Sequence, residues 1–370
     1  MKLIVLRNNL KAGLDVIGKI SAEGTSALPI LKNFLIETFD GKIKLAATNL
    51  EIGVTGFING KVIEHGGISV PLNIFSSIIN NLQSERINLE VKSNNLIIET
   101  DNYNAKIQGI KKEEFPIIPE INNKKNYLKI SLANLKNSLL YITNASRVIE
   151  SKPEINSVLF DYQVNLLKLA ATDSFRLAEK TISNSQFESN IEKKFKIIVP
   201  IKTIHEIIRI FKNDQEDVSI YFDSNQILFE TEGTKIISRL INGEFPEYQE
   251  IIPKSDKTEI IISREQLMMG LKLTGVMTDK FNEVKISISG NNKNIEIYSM
   301  NQNVGENKYL IPAKIKGTAS DVIFNWRFFL DGIKDLNQEN IVLGLNENQP
   351  AVIRPQGDSS CFYVLMPIKS

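Results

Sequence analysis

A single cysteine and only two histidines occur in 370 residues. Cys361 has no second cysteine to pair with, so a disulfide framework is excluded. His65 and His205 stand far apart, and no Cys/His spacing suits a zinc ion. Net charge is nearly absent too, with 44 basic against 43 acidic side chains. That excludes the basic excess of a protein that coats nucleic acid with its whole surface. It leaves room for a basic lining set against an acidic exterior, because composition is blind to placement. No apolar run approaches the roughly 18 residues that a membrane span needs. The opening MKLIVLRNNL turns polar too soon for a secretory signal. The expectation is a cytoplasmic protein with no membrane partner. The P-loop, GxGxxG, HExxH and GxSxG are all missing, so no cofactor is expected and no familiar catalytic site is visible. His205 reads as a helix-surface residue, since a general base needs a positioned partner. His65, in EHGG, reads as part of a turn.

What is present is repetition. The length exceeds one ordinary domain and suggests two or three. LAATNLEIG from Leu45 answers LAATDSFRL from Leu169, 124 positions later, and Asn49 answers Asp173. Downstream, IETDNYNAKI from Ile98 answers FETEGTKII from Phe229. EFPIIPEI, with Phe115 and Pro116, answers EFPEYQEI, with Phe245 and Pro246, 130 positions later. A third copy shows in pattern. Leu10, Leu14, Ile17; Leu135, Leu139, Ile142; and Leu267, Leu271, Thr274 each fall at i, i+4, i+7 on one helix face. A second helix recurs through Phe75, Ile78, Ile79, Leu82; Ile204, Ile207, Ile208, Phe211; and Phe329, Gly332, Ile333, Leu336. Each second helix follows a β-like run (ISVP, IIVP, VIFN) and precedes alternating strands. Polar NNKKNY and PKSDKT read as the links between copies. The fold class is therefore α+β, built from three modules over residues 1–122, 123–253 and 254–370. Thr172 and Asp173 suggest a nucleophile at first sight. Thr48 and Asn49 recur in the first copy, and that favours a strand end whose side chains hold a turn.

With the copies laid out, the whole chain resembles the β subunit of the bacterial replicative DNA polymerase, the DNA sliding-clamp family. ALPIL (27–31) is similar to that family's TLPIL, and ATDSFRLA (171–178) to its ATDGHRLA. IIVP (197–200), GEFPEY (243–248) and the closing VLMPIKS (364–370) follow in the family's order and spacing. The resemblance implies DNA-clamp modules, each with two helices on antiparallel sheets. Two chains would join head to tail in a ring of six modules around double-stranded DNA. The chain would tether the replicative polymerase α subunit without catalysing anything, and a separate clamp-loader ATPase would load it. It implies DNA-facing Lys11, Lys19, Lys136, Arg147, Lys202, Arg209, Lys212, Lys272, Arg327 and Lys334, on the polar faces of helices that contact phosphates and read no sequence. The second helix of the first copy departs, with Ser76, Ser77, Asn80 and Asn81 in place of charges. A pocket for peptide motifs of the polymerase, loader and other clamp-binding proteins would use Ile155, Thr172, Ser174, Phe175, Arg176, Leu177, Pro246, Ile251, Pro350, Val364, Leu365, Met366 and Pro367. Phe175 stands where the family often has His. The ring joint would set Ala105 and Ile107 against the partner's Val276 and Met277. A repeat-built adaptor that binds peptides without DNA, and an enzyme using Thr172 and Asp173, are the competing readings.

Overall fold

The computed structural model describes residues 1–18, 20, 28–146, 152–289, 293–318, 321–347 and 349–368. Lys19 and Arg147 of the expected DNA-facing set lie outside the described residues. Among the described residues are six helices and three sheets in which every pairing given is antiparallel. The helices are α1 (Arg7–Ile17), α2 (Leu72–Asn81), α3 (Leu132–Thr143), α4 (Ile201–Ile210), α5 (Arg264–Gly275) and α6 (Trp326–Ile333).

The repetition extends to single atoms. In each copy the first helix opens on a backbone N–H that donates to a glutamate carbonyl. Arg7 donates to Glu85 at 2.8 Å, Leu132 to Glu216 at 2.9 Å and Arg264 to Glu339 at 2.9 Å. These bonds satisfy donors that a helix start leaves open. The three stripes read from the sequence of α1, α3 and α5 are all buried. Three residues after the first leucine of each stripe comes a small residue: Gly13, Ser138 and Gly270. A Cβ on Gly13 would lie 2.5 Å from Leu45 Cδ1, and one on Gly270 would lie 2.9 Å from Tyr309 Cδ1. The helix backbone thus lies against its sheet in a way that a larger side chain would prevent. The stripes of α2, α4 and α6 also point inward, with Ile78 and Ile208 only half-buried. Gly332 holds the stripe position of Ile78 and Ile207. Its missing volume is taken by Tyr363, whose Cδ1 would be 2.5 Å from a Cβ there.

The chain forms two compact units. One comprises residues 1–133, 188–191 and 205–240, the other 134–187, 192–204 and 241–370. The first holds a five-stranded and a ten-stranded sheet. In the latter, Ile52–Ile58 pairs with Thr234–Arg239, from Ile52 opposite Ser238 to Gly56 opposite Thr234. The second holds a twelve-stranded sheet. There Arg176–Ser183 pairs with Cys361–Leu365, from Arg176 opposite Leu365 to Lys180 opposite Cys361. The two seams use equivalent strands: the one after LAAT in one copy meets the last strand of the next copy.

Candidate functional site

The local chemistry of the second seam begins at its turn. Thr172 Oγ1 donates to the Arg176 carbonyl at 2.7 Å and accepts from the Ser174 N–H at 3.2 Å. Asp173 Oδ1 accepts from the N–H groups of Phe175 and Arg176 at 3.0 and 3.1 Å. The first copy repeats this bond for bond. Thr48 Oγ1 donates to the Ile52 carbonyl and accepts from Leu50, while Asn49 Oδ1 accepts from Glu51 and Ile52. Both turns place one residue in left-handed backbone, Leu50 at φ 75° and Ser174 at φ 76°. The Thr172 hydroxyl is thus consumed in holding a turn. We expect Ser174→Gly to stabilise the protein by up to about 1 kcal/mol, and Ser174→Val to destabilise it by about 1 kcal/mol or more. Paired urea titrations of the two variants check the opposite signs.

That turn exposes Phe175, at 59%, and buries Arg176. The guanidinium donates from Nε to Asp173 Oδ2 at 2.9 Å, from Nη1 to Asp331 Oδ2 at 2.5 Å and from Nη2 to the Ser146 carbonyl at 3.4 Å. It lies 4.2 Å from the ring centre of Phe328, and the Tyr363 hydroxyl donates to the Phe328 carbonyl at 2.9 Å. Burial works against its charge. Tyr363 and the bonds to Asp331 and Asp173 outweigh burial and hold its pKa above the ordinary arginine value. Arg176 therefore fastens α6 of the third copy to the turn of the second.

The expected pocket residues separate into layers. Leu177 and Val364 are opposite each other across the seam and pack with Leu159, Ala170, Ile198, Phe245 and Tyr248. They and Leu365 have no exposed surface, and Thr172 and Arg176 have little. These five support a surface more than they form one. Ser174, Phe175, Pro246 and Ile251 are exposed, while Ile155, Pro350, Met366 and Pro367 are half-buried. Met366 N–H donates to the Phe175 carbonyl at 2.9 Å and extends the seam by one residue. A Cβ on Gly243 would lie 2.9 Å from Glu154 Cγ, so the turn bearing Ile155 packs beside the GEFPEY loop. Tyr248, held by a 2.5 Å bond from its hydroxyl to Glu179, was within reach of the sequence through GEFPEY. Asp331 and Phe328 gave no sequence signal.

Positive charge exceeds negative on the helices. The six carry eight Lys or Arg and four Asp or Glu, a net of +4 against +1 for the chain, so the remainder is net acidic. Lys202, Lys212, Lys272, Arg327 and Lys334 are exposed, and Lys11, Lys136 and Arg209 half-buried. Two placements differ from the sequence reading. Lys212 and Lys334 stand just past the ends of α4 and α6 and not on their faces. A cation there meets the negative end of the helix dipole. Lys212 pairs with Asp15 at 3.0 Å, Lys334 with Asp331 at 2.6 Å, and Arg209 with Glu206. Arg7 and Arg264, absent from the expected set, are structural: they donate to the carbonyls of Leu82 and Lys334. As its sequence shows, α2 carries no charge.

The joint residues lie at edges. Ala105 and Ile107 sit on Asn104–Gln108, the outermost strand of the five-stranded sheet. Ile107 is already buried in its own module, so this edge offers Ala105 and open backbone. Val276 caps α5 and is 75% exposed, while Met277 is half-buried. Leu273 and Met269 on α5 and Leu310 on the strand Gly305–Gly317 are exposed large apolar residues that the sequence did not single out.

Two seams of one design, three copies of one helix start and a basic set of helices define a three-module clamp chain. Comparison with known proteins agrees. The N-terminal, central and C-terminal domains of the DNA polymerase III beta subunit match residues 1–119, 129–247 and 249–369. The beta sliding clamps of Synechococcus elongatus and Chlamydia pneumoniae are 26% and 27% identical, each over 100% of this chain and 99% of their own. The sliding clamp of Bacillus subtilis superposes with a TM-score of 0.94 at 24% identity, covering 100% of this chain and 99% of its own. A putative DNA polymerase III beta subunit from Eubacterium rectale gives 0.92 at 25% identity and full coverage of both chains. The chain belongs to the DNA polymerase III beta subunit family.

Proposed function

We propose that this chain is a non-catalytic sliding clamp that closes head to tail with a second copy around double-stranded DNA. Its modules span 1–122, 123–253 and 254–370. The observation that carries the reading is an unfilled seam at each end of the repeat. The strand after LAAT in the first two copies is paired by the last strand of the following copy. Its counterpart in the third copy is Gly305–Gly317. That strand pairs with Asn294–Asn301 through Pro312, and with Thr258–Ser263 only from Ala313 on. Among the described residues, nothing pairs the other edge of its first half. In the first copy, the outermost strand Asn104–Gln108 likewise has a neighbour on one side only. Open edges template pairing, and a heterologous contact that closes after two copies makes a ring of six modules. Ala105 and Ile107 then meet the partner copy at the α5 end that bears Val276 and Met277.

Lys11, Lys136, Lys202, Arg209, Lys272 and Arg327 on the helices, with Lys212 and Lys334 at helix ends, supply the basic set for phosphates, and Lys19 and Arg147 belong to the same set. Phosphate contacts without base contacts let a ring slide. The exposed Phe175, Pro246 and Ile251, with Met366 beside them, form the surface for apolar peptide anchors of the polymerase α subunit, the clamp-loader ATPase and other clamp-binding proteins. Such a protein acts in the cytoplasm, at the nucleoid. Holding power is topological, so loaded clamp remains on a closed circle and is lost within seconds to minutes once that circle is cut. A bead-retention assay on circular plasmid before and after linearisation tests this, and equal retention on both would overturn the reading.

A further inference from the structure

The first seam carries a groove of about 270 Å³ on the ten-stranded sheet. Its floor is a row of facing residues: Leu35 opposite Ala46, Gly53 opposite Ile237, and Ile237 opposite Leu228. Residues 115–121 lie across this floor. Phe115 packs on Leu35 and Ala46, Ile121 on Leu228 and Ile237, and Ile118 bridges both clusters. Gly53 makes the space for it, since a Cβ there would lie 2.6 Å from Ile118 Cγ2. Ile117 also lines the groove and is 92% exposed. The second seam has the same plan, with Leu159, Ala170, Phe245 and Tyr248 in the corresponding places.

The two seams differ in charge. Beside the second, Asp161 and Glu179 are buried carboxylates. Around the first stand four lysines, Lys44, Lys112, Lys124 and Lys235, and Glu120 is the one acid among the lining residues. The carboxylates behind the lysines are each shared by two of them. Glu37 lies 3.0 Å from Lys44 and 4.0 Å from Lys112, and Glu230 lies 2.9 Å from Lys235 and also pairs with Lys124. Lys124 and Lys235 further lie over the rings of Tyr221 and Phe57, at 5.1 and 5.6 Å. Their ammonium groups are thus held in place while their charge is only half neutralised.

We propose that this groove is a second docking site, for an extended acidic peptide with an apolar anchor. The anchor settles against Ile117 and Ile118, the accessible aliphatic side chains that line the groove above the buried Ala46 and Ile237. Its carboxylates take up the unspent charge of the lysine pairs, and little side-chain entropy is lost because those lysines are already positioned. A single-stranded nucleic acid fits less well. Its bases need open aromatic faces to stack on, and here the rings of Phe57 and Tyr221 are covered by ammonium groups.

The test titrates a short fluorescein-labelled peptide, Leu-Phe flanked by glutamates, into the full-length protein at low salt. Saturable binding is expected, and the Lys112→Glu/Lys124→Glu double variant should weaken it at least about tenfold. A peptide with lysine in place of glutamate should bind at least about tenfold more weakly than the acidic one. Amide shift changes in the unmodified protein should centre on residues 35–55, 115–124 and 228–237, a readout that survives any folding defect of the variant. Undiminished binding by a folded double variant, shift changes centred on the Phe175 seam, or tighter binding of a single-stranded oligonucleotide of equal charge would each overturn the proposal. DNA retention is not part of the readout, so failure here leaves the clamp reading untouched.

Discussion

Arg176→Ala is expected to be among the most destabilising single substitutions in the chain, at about 3–5 kcal/mol. The reason lies in what remains after the guanidinium is gone. Asp173 is 1% exposed, and two of its bonds hold the turn while the third neutralises it. Asp331, on α6, loses its partner from across the seam and keeps Lys334. The Phe328 ring loses the cation stacked on it, a contact that contributes about 1–2 kcal/mol in a dry setting. Arg176→Lys keeps the charge but not the planar fork, and it should recover less than half of the loss. Asp331→Asn should cost less than Arg176→Ala, because the Asp331 side chain is 29% exposed. Urea unfolding read by Trp326 fluorescence, which reports on α6, should show the Arg176→Ala midpoint falling by about 1–2 M. A fall below about 0.3 M would mean that the network orients Phe175 without stabilising the fold.

The contrast between Arg176 and its surroundings shows how far the sequence could be read. Its turn was legible because the chemistry is local: Thr-Asx at a strand end serves N–H groups two and three residues on, and the same pair appears twice. The helix stripes were legible because burial follows the 3.6-residue period. Asp331 was not legible. It lies 155 positions away, and nothing in a local pattern tells an i+3 partner for Lys334 from a partner across a seam. The burial of Leu177 and Val364 escaped for the same reason. A run of apolar residues reads alike whether it lines a groove or supports one, and the difference is decided by Phe245 and Tyr248 lying over it. Lys212 and Lys334 were misplaced by less than a turn. Helix ends depend on caps and on the chain that follows, and the apolar period alone does not mark them.

The second large effect concerns the joint. Val276→Glu should convert the proposed dimer to monomer at low micromolar concentration and reduce retention on circular DNA by at least about a hundredfold. Val276 is 75% exposed at the end of α5, beside Leu273 at 50%. In a lone chain the substitution touches almost nothing, so the unfolding free energy should change by less than about 0.5 kcal/mol. In the ring the same carboxylate would be desolvated against the edge that carries Ala105, at a cost of about 2–3 kcal/mol. A two-chain ring has two such joints, and each copy carries the fault, so the loss is counted twice, at about 4–6 kcal/mol. That corresponds to roughly a thousandfold or more in the dimer's dissociation constant. None of the basic residues on the helices is changed, so binding of the monomer to short duplex DNA, and its salt slope, should change little. Sedimentation velocity gives the association state and plasmid retention gives the hold on DNA. A monomer that is still retained would show that the helices grip DNA without encirclement, whereas a Val276→Glu protein that stays dimeric would place the joint elsewhere.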